Sequence, residues 1–377
     1  MLTYLKEFKH KLFTDITEIP VVFQQSYYPS LDGLRAVSIF IVLVFHILMS
    51  YKFDFNFYSL ADLGVQFFFV ISGFLITSLL IKEKVRSGTI LLKNFYIRRF
   101  LRILPVAYLY LIVVVILNYI LKLQLDYLLI LTSFLFIRNF FTSNSSVVNN
   151  LTTHYWSLSV EEQFYIIFPA IIRKSLTAYI IFLISIIILA LITNIYNPTE
   201  YILNNNIQHV LLIILQLINQ FIGIAVGSLL SILIYKKIIR VEFIQHALTS
   251  LLLFAATIAL TFYEGILQNF KVVFQCILFC CILIPNLKQS KSIVFRFLNH
   301  AYMKWIGILS YSLYIWQQPL TLNLTFINKT SFMQQFENKI PIDIAVSLLS
   351  IIGLIFISYI SYHFYEKKFL ILKERFK

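Results

Sequence analysis

The chain has 377 residues, of which 59% are hydrophobic and 13% charged, and its mean hydropathy is +0.83. A soluble domain of this length needs a more highly charged surface, so the composition excludes that class and predicts a polytopic membrane protein. Long runs of Ile, Leu, Val and Phe favour helical spans of about 17–25 residues over the alternating strands of a membrane barrel. Basic cytoplasmic loops explain the net charge of +14 better than nucleic-acid binding does.

The predicted organisation is one transmembrane domain between two short charged ends. Residues 1–30 have no early apolar core, so they are predicted to form a cytoplasmic leader and no cleavable signal peptide. Residues 31–366 are predicted to form an all-α transmembrane domain without internal repeats, and residues 367–377 a cytoplasmic tail. About ten spans are expected, at 34–51, 63–81, 103–121, 158–172, 176–195, 208–234, 247–263, 269–285, 305–322 and 341–362.

The segments between the spans predict the orientation. With a cytoplasmic N-terminus, 25 of the 31 Lys and Arg residues fall on the inner side, so both termini are predicted to be cytoplasmic. Segment 125–140 is apolar but short and carries Arg138, which favours a re-entrant or interfacial piece. The outer loops 143–154 and 197–206 are rich in Asn, Ser and Thr. The three cysteines lie in one apolar run, so neither a disulfide framework nor a metal site is predicted.

The first span, RAVSIFIVLVFH, carries two ionisable side chains, Arg35 and His46. Eleven residues advance about 1100° on an α-helix, about 20° beyond three full turns, and rise about 16 Å. One helix would therefore place Arg35 at the cytoplasmic end and His46 near the middle of the membrane, on the same face. Interfacial anchoring can explain Arg35 and a helix-packing hydrogen bond can explain His46. An ionisable side chain at that depth is also a candidate for function.

Two further motifs follow, and the first of them lies at the predicted cytoplasmic edge. In RRFLRILP, Arg98, Arg99 and Arg102 lie within about one helical turn, where they can bind phosphate groups, anchor the helix or bind anionic lipid. In GVQFFFVISGFLI, Ser72 and Gly73 interrupt an aromatic run, which allows close approach of either a neighbouring helix or an acyl chain.

The stretch HYWSLSVEEQFY is the densest polar string, and it opens a predicted span from the outer side. Ser159 and Glu162 have the spacing of a capping box, which gives Glu162 a structural interpretation. Glu161 has no such interpretation, and a carboxylate that enters lipid needs a partner. His46 is a candidate partner.

Together these stretches resemble the acyltransferase-3 family of integral membrane O-acyltransferases over most of the chain. Arg35 and His46 match the arginine and histidine of its first span, Arg99 and Arg102 its arginine motif, and Glu161 the acid of its Trp-Ser-Leu motif. GILSYSLYIWQQP at 307–319 and SYHFYEKKF at 361–369 are similar to its closing motifs. The chain departs from the family at Gln317, where a histidine is frequent, and at Lys368, where a proline is frequent. The C-terminal SGNH-type hydrolase domain of some members is not expected.

The resemblance implies O-acylation of a hydroxyl group on a bacterial surface glycan, such as lipopolysaccharide, or on its lipid-linked precursor. Cytoplasmic acyl-CoA, most often acetyl-CoA, would be the donor, and the enzyme would lie in the bacterial inner membrane among its lipids. On this hypothesis His46 is the base or the transient acyl carrier, and Glu161 orients it. The expected donor-binding residues are Arg35, Arg98, Arg99, Arg102, Ser72 and Gly73. The expected acceptor-binding residues are Trp156, Ser157, Glu162, Tyr165, Tyr314, Trp316 and Gln317.

Three other classes of membrane protein are possible. A transporter or flippase of lipid-linked sugars would explain many spans with buried polar groups, but its related halves and broken helices are not evident in the sequence. A receptor would usually bring a soluble domain. A glycosyltransferase that uses lipid-linked sugars should carry its acids on outer loops, whereas Glu161 and Glu162 open a predicted span.

Overall fold

The computed structural model describes residues 2–25, 27–50, 58–141, 151–196, 214–241, 247–321 and 340–376, and every regular element in these ranges is helical. In chain order the helices are α1 (Leu2–Phe13), α2 (Val21–Gln24), α3 (Pro29–Ser50), α4 (Tyr58–Ser87), α5 (Leu92–Leu121), α6 (Tyr127–Phe134), α7 (Tyr155–Lys174), α8 (Leu176–Tyr196), α9 (Ile214–Gln220), α10 (Ile222–Tyr235), α11 (Ala247–Thr261), α12 (Lys271–Leu283), α13 (Ile293–Leu298), α14 (Ala301–Trp316), α15 (Gln318–Thr321), α16 (Ile340–Ile360) and α17 (Lys367–Lys373). A π-helical segment, Ser361–Glu366, connects the last two.

The chain divides into two compact units. The first comprises Met1–Ser38, Leu63–Leu91 and Phe164–Gly307, and the second comprises Ile39–Asp62, Leu92–Gln163 and Ile308–Lys377. Each unit is therefore assembled from three separate stretches of the chain, and each is described by itself below.

In the first unit, α10 packs against α4 at positions that have no side chain. A Cβ atom added at Gly227 of α10 would lie 2.0 Å from the carbonyl oxygen of Val70. A Cβ atom added at Gly73 of α4 would lie 2.1 Å from the carbonyl oxygen of Ile224. Because both obstacles are backbone atoms, the two helices can approach this closely only where glycine leaves room.

Replacing Gly227 with alanine is expected to lower the free energy of unfolding by about 1–3 kcal/mol, because the new methyl group would force α10 and α4 apart. Gly353 in α16 is the matched control, since nothing lies within 4 Å of a Cβ atom added there. Gly353→Ala should unfold at the same or a slightly higher temperature, because alanine favours a helix more than glycine does. Thermal unfolding of the two detergent-purified variants tests this. Equal unfolding temperatures for Gly227→Ala and Gly353→Ala would contradict the close packing of α10 against α4.

The predicted N-terminal leader packs onto the first unit. Phe23 is fully buried and stacks on Tyr235, with 4.1 Å between the ring centroids. Lys11 Nζ donates to the carbonyl of Lys237 at 2.9 Å, and Glu18 forms an ion pair with Lys237 Nζ at 3.0 Å. The leader is therefore held at the C-terminal end of α10 by one aromatic stack and two polar contacts.

In the second unit, α5 contacts α6, the π-helical segment and α17. Two tyrosines donate hydrogen bonds to backbone carbonyls of α5. Tyr311 Oη donates to the carbonyl of Ile103 at 2.8 Å, and Tyr155 Oη donates to the carbonyl of Ala107 at 2.5 Å. Tyr311 and Tyr155 thus attach α14 and α7 to the middle of α5. Between their two acceptors lies Pro105, which cannot donate a backbone hydrogen bond within α5.

The closing motif SYHFYEKKF has a structural role in the second unit. Glu366 is buried, and its Oε1 accepts hydrogen bonds from Ser312 Oγ at 2.7 Å and from Ser361 Oγ at 2.8 Å. The carboxylate thereby joins α14 to the π-helical segment. The predicted tail continues as helix α17.

The structure confirms an all-helical polytopic membrane protein. Six described helices have the length and hydropathy of a membrane span, and α9 with α10, bent by 48°, would add a seventh. The predicted spans 158–172, 247–263 and 305–322 coincide with α7, α11 and α14, which are shorter or more polar than those six. Residues 208–213 of another predicted span lie outside the described residues, as do loop residues 143–150 and 197–206. The count of ten and the cytoplasmic termini stay predictions.

Candidate functional site

One continuous helix, α3, carries both Arg35 and His46, as the sequence predicts. His46 is partly buried in the second unit, and its Nδ1 lies 2.7 Å from the carbonyl oxygen of Val42, one turn earlier. A carbonyl oxygen can only accept, so Nδ1 carries the proton when the ring is neutral. The lone pair of the neutral ring then lies on Nε2, the atom that can act as a base or a nucleophile.

Arg35, in the first unit, already has a partner of opposite charge. Its Nη1 lies 3.1 Å from Asp32 Oδ1 on the same helix, and Asp32 also accepts a hydrogen bond from Tyr27 Oη. Asp32 is buried, so this ion pair neutralises a carboxylate at the start of α3. Donor binding by Arg35 stays a prediction. In that role, the guanidinium would contact the donor while it also pairs with Asp32.

The arginine motif lies on α5 in the second unit, and its three members differ in their surroundings. Arg98 Nη1 donates to the carbonyl of Phe376 at 2.7 Å. The Arg99 guanidinium lies 5.6 Å from the centroid of the Phe95 ring, a cation–π arrangement. Arg102 is partly exposed. Each guanidinium carries five N–H groups, the kind of donor that binds an anionic ligand.

The two acids of HYWSLSVEEQFY lie in the second turn of α7, which begins at Tyr155. Ser159 is therefore inside the helix, where its Oγ donates to the carbonyl of Tyr155 at 2.8 Å and accepts from the backbone N–H of Arg138 at 3.2 Å. The predicted capping box at Ser159 and Glu162 is wrong, because the helix begins four residues before Ser159.

Glu162 lies close enough to Arg99 and to Glu161 for the charges to interact. From the sequence, Arg99 is expected at the inner edge and Glu162 on the outer side, whereas the structure places them within electrostatic range of one another. Among the described residues no carboxylate is hydrogen-bonded to His46. Its orientation by Glu161 stays a prediction.

The other candidates in the first unit are Ser72, Gly73 and Tyr165. Ser72 Oγ and Tyr165 Oη are 2.5 Å apart and share a hydrogen bond. Gly73 lies against the backbone of Ile224, so of its two predicted uses the close approach of a neighbouring helix is the one that the structure shows. Roles of Ser72 and Gly73 in donor binding, and of Tyr165 in acceptor binding, stay predictions.

Two of the acceptor-side candidates of the second unit, Ser157 and Tyr314, contact His154, which has no predicted role. The His154 ring is buried edge-on against Tyr110, with 5.2 Å between centroids, and against Tyr314 at 5.7 Å. Ser157 Oγ and Tyr314 Oη are 2.6 Å apart, and both can donate to the backbone carbonyl of His154. Trp316 packs edge-on against Tyr110 at 5.4 Å.

Several polar atoms of this group are buried without a hydrogen-bond partner among the described residues. They are Nε1 of Trp316, both side-chain amide atoms of Gln317, Oγ1 of Thr152 and one ring nitrogen of His154, whose other nitrogen faces the backbone carbonyl of Ile315. Buried polar groups in proteins are nearly always paired, so such a cluster has unused capacity for hydrogen bonds with a polar ligand. The charge of His46 also acts on His154, which places the two imidazoles in one neighbourhood.

The second unit therefore holds His46, the arginine motif, Glu161, Glu162, Trp156, Ser157, Tyr314, Trp316 and Gln317. Sequence reasoning missed Tyr110, His154 and Arg138, of which the last two are ionisable residues in or beside apolar segments. That property was a usable signal. Within the described residues, no group of three or more His, Cys, Asp or Glu side chains could hold a metal ion.

Comparison with known proteins identifies the family of the chain. A sequence model described as an acyltransferase domain matches residues 28–363. The chain is 28% identical over 320 residues to the peptidoglycan O-acetyltransferase OatA of Listeria monocytogenes, covering 79% of this chain and 50% of that protein. It is 28% identical over 382 aligned positions to the O-acetyltransferase OatA of Staphylococcus aureus, covering 93% of this chain and 58% of that protein.

The chain thus spans little more than half the length of these relatives. No solved structure shows significant similarity to it. Because the family match extends over nearly the whole transmembrane region, the chain belongs to the acyltransferase family that this domain defines.

Proposed function

We propose that the protein is a membrane O-acetyltransferase, which moves an acetyl group from cytoplasmic acetyl-CoA to a hydroxyl group of a cell-surface carbohydrate or its lipid-linked precursor. The observation that carries the proposal is His46, a partly buried histidine whose Nδ1 is engaged by Val42 and whose Nε2 is left as the basic atom. It lies in the same unit as the arginine motif and the polar cluster around His154. The relatives named O-acetyltransferase favour the acetyl group.

In the proposed reaction, His46 Nε2 takes the proton of the acceptor hydroxyl while the hydroxyl oxygen attacks the carbonyl carbon of the thioester. A new C–O bond forms, the C–S bond breaks, and the proton passes from the imidazolium to the departing CoA sulfur. In the second form of the mechanism, Nε2 attacks the thioester carbonyl carbon, so that a C–N bond forms while the C–S bond breaks and CoA leaves as its thiolate. The acceptor hydroxyl or water then attacks the acetyl carbon, a C–O bond replaces the C–N bond, and the proton of the attacking O–H passes to the CoA thiolate. Both forms need the same neutral tautomer of His46.

The residues on α5 fit a phosphate-bearing donor. Arg99 and Arg102 are one turn apart on the helix, and guanidinium groups can hold phosphate oxygens in pairs. Glu162, close to Arg99, would compete for that guanidinium when no donor is present. This competition offers a way for donor binding to release a carboxylate near the site.

The acceptor belongs to the proposal as a class. Aromatic rings suit the apolar faces of sugars, and the polar cluster offers donors and acceptors for hydroxyl groups. The relative from Listeria monocytogenes is named for peptidoglycan, which makes peptidoglycan fragments a reasonable first acceptor for this chain. The bacterial relatives also favour the bacterial cytoplasmic membrane as the location.

The test uses the purified protein in lipid nanodiscs with acetyl-CoA labelled in the acetyl group. Soluble peptidoglycan fragments and a neutral N-acetylglucosamine oligomer serve as acceptors. The proposal expects alkali-labile label in at least one acceptor, and none above background with His46→Ala. Failure to transfer label to any acceptor, together with acetate release no faster than that of His46→Ala, would contradict it.

The transporter alternative predicts a different result in the same preparation. A flippase would move a fluorescent lipid-linked sugar across a proteoliposome membrane, and His46→Ala would not abolish that movement if the histidine only packs helices. The relatives reported above do not favour this alternative.

A further inference from the structure

Arg138 is a buried cation that the proposed reaction does not use. It lies in the second unit after α6, in a short 3₁₀ turn, Arg138–Phe140, and only 3% of it is exposed. Its Nη1 donates to the backbone carbonyl of Phe141. Its Nε and Nη2 are buried and have no hydrogen-bond partner among the described residues.

The segment that carries Arg138 is fastened to α7. Gln163 Nε2 donates to the carbonyl of Phe136 at 2.9 Å and to Asn139 Oδ1 at 2.9 Å. The backbone N–H of Arg138 donates to Ser159 Oγ at 3.2 Å. Because these contacts lie on both sides of Arg138, they fix the position from which its side chain extends.

The two unpaired nitrogens of Arg138 form a defined recognition element. In a planar guanidinium, the Nε–H and one Nη–H of the outer nitrogen point in parallel, at the spacing of two oxygens of a carboxylate or a phosphate. A buried cation with such an unused fork is costly unless an anion completes it. The fork is therefore suited to a ligand that supplies a pair of anionic oxygens.

His154 is close enough to Arg138, and to His46, for their charges to interact. One ring nitrogen of His154 faces the backbone carbonyl of Ile315, and the other is buried without a partner among the described residues. His154 is thus a second, independent side chain with unused hydrogen-bonding capacity. Arg138 and His46 therefore both lie within electrostatic range of His154.

The one carboxylate known to act on Arg138 has another task. Asp126 is close enough for its charge to be felt by Arg138, but its Oδ1 accepts from the backbone N–H of Leu128 at 2.8 Å and so caps α6. Neither Nε nor Nη2 of Arg138 has Asp126 as a hydrogen-bond partner. Asp126 thus lowers the cost of burying the cation without occupying its fork.

We propose that Arg138 and His154 form an anion-binding site for the acceptor. The Nε and Nη2 of Arg138 hold two oxygens of a carboxylate or phosphate group on the acceptor, and His154 adds a hydrogen bond to the same molecule. The site rests on the proposed function for its place in a reaction, but anion binding itself does not require catalysis. The acceptor is thus an anionic glycan or a lipid-linked glycan with a diphosphate.

The test measures anion binding directly, in nanodiscs of zwitterionic lipid at constant ionic strength. Labelled inorganic phosphate and labelled glucuronate, a sugar carboxylate, are titrated separately by equilibrium dialysis. The proteins are the wild type, Arg138→Gln, Arg138→Lys, His154→Phe and the Arg99→Gln/Arg102→Gln double variant. The double variant is the control that removes the other arginine cluster and leaves Arg138 in place.

The proposal expects saturable binding of at least one of the two anions. The dissociation constant for that anion should be unchanged in the Arg99→Gln/Arg102→Gln double variant and should rise about tenfold or more in Arg138→Gln. Arg138→Lys should recover part of the affinity, because lysine keeps the charge but lacks the fork. His154→Phe should weaken binding less than Arg138→Gln does. If only the binding of glucuronate depends on Arg138, the recognised group is a glycan carboxylate. If only the binding of phosphate depends on Arg138, the recognised group is the diphosphate of a lipid-linked glycan.

Thermal unfolding separates the proposal from a purely structural role for Arg138. On the proposal, and without a ligand, Arg138→Met should unfold at a temperature close to that of the wild type, because the variant also loses an uncompensated buried charge. A purely structural role would instead lower the unfolding temperature of Arg138→Met. Anion binding unchanged in Arg138→Gln, or lost only in the double variant, would overturn the proposal. Arg138-dependent binding in a protein without acetyl transfer would retain the site and reject the proposed reaction.

Discussion

Replacing His46 with alanine is expected to lower the rate of acetyl transfer by about 10²–10⁴-fold, the usual loss when a general base is removed. Donor affinity should change little, because the arginine motif on α5 is untouched. The measurement is the rate of labelled acetyl transfer at saturating acetyl-CoA, alongside the dissociation constant of the donor. The physical reason is the tautomer: Nδ1 is engaged by Val42, so the imidazole Nε2 is the atom that takes the proton.

Two variants sharpen this prediction. His46→Gln can still donate to the carbonyl of Val42 but cannot accept a proton, so it should be as inactive as His46→Ala while unfolding nearer to the wild-type temperature. His300→Ala removes an exposed histidine of the first unit and should leave transfer unchanged. Activity of His46→Ala within about tenfold of the wild type would show that His46 only packs helices.

Replacing Arg99 with glutamine is expected to raise the KM for acetyl-CoA by about tenfold or more, because a charge-assisted contact with phosphate contributes about 1.5–3 kcal/mol. Arg102→Gln should have a similar effect. The rate at saturating donor should fall much less than in His46→Ala. Lys93→Gln, an exposed cation near the start of α5, is the matched control and should leave the KM unchanged.

The nearness of Arg99 to Glu162 gives this prediction a second test. If Arg99 serves only to neutralise Glu162, adding Glu162→Gln to Arg99→Gln should restore the KM, since no carboxylate is then left uncompensated. If Arg99 binds donor phosphate, the double variant should remain as weak as Arg99→Gln. Restoration to the wild-type KM would contradict donor binding by Arg99.

The sequence was most informative where a period or a composition governs the structure. The helical class follows from apolar runs of span length, and the placement of Arg35 and His46 on one helix follows from the absence of any breaker between them. The family motifs were recognisable because they combine charged residues with apolar neighbours, an expensive pattern that function must justify. The comparisons then confirmed the family.

The sequence was least informative where contacts join distant segments. Nothing near Glu162 indicates that Arg99, on another helix, lies close to it, because that proximity depends on the relative offset of α5 and α7. The capping box at Ser159 failed for a local reason: the helix begins at Tyr155, and Ser159 Oγ instead bonds within the helix and to Arg138. Capping motifs fix a helix start only when no earlier residue can begin the helix.

Gly73 shows the same limit in another form. A small residue in an apolar helix permits the approach of either a helix or a ligand, and sequence alone leaves both open. The structure shows the backbone of Ile224 at that position. The ionisable side chains of His154 and Arg138 were a usable signal, but their unpaired atoms become visible only once every neighbouring donor and acceptor is placed.

The central claim is that acetyl-CoA binds through the arginine motif and reacts at His46, and one measurement tests both halves. Binding of labelled acetyl-CoA and release or transfer of the acetyl group are followed in nanodiscs for the wild type, Arg99→Ala/Arg102→Ala and His46→Ala. The account predicts that the wild type binds and reacts, the double variant fails to bind, and His46→Ala binds without reacting. Absence of any interaction between the wild type and acetyl-CoA, or reaction in His46→Ala at the wild-type rate, would contradict it.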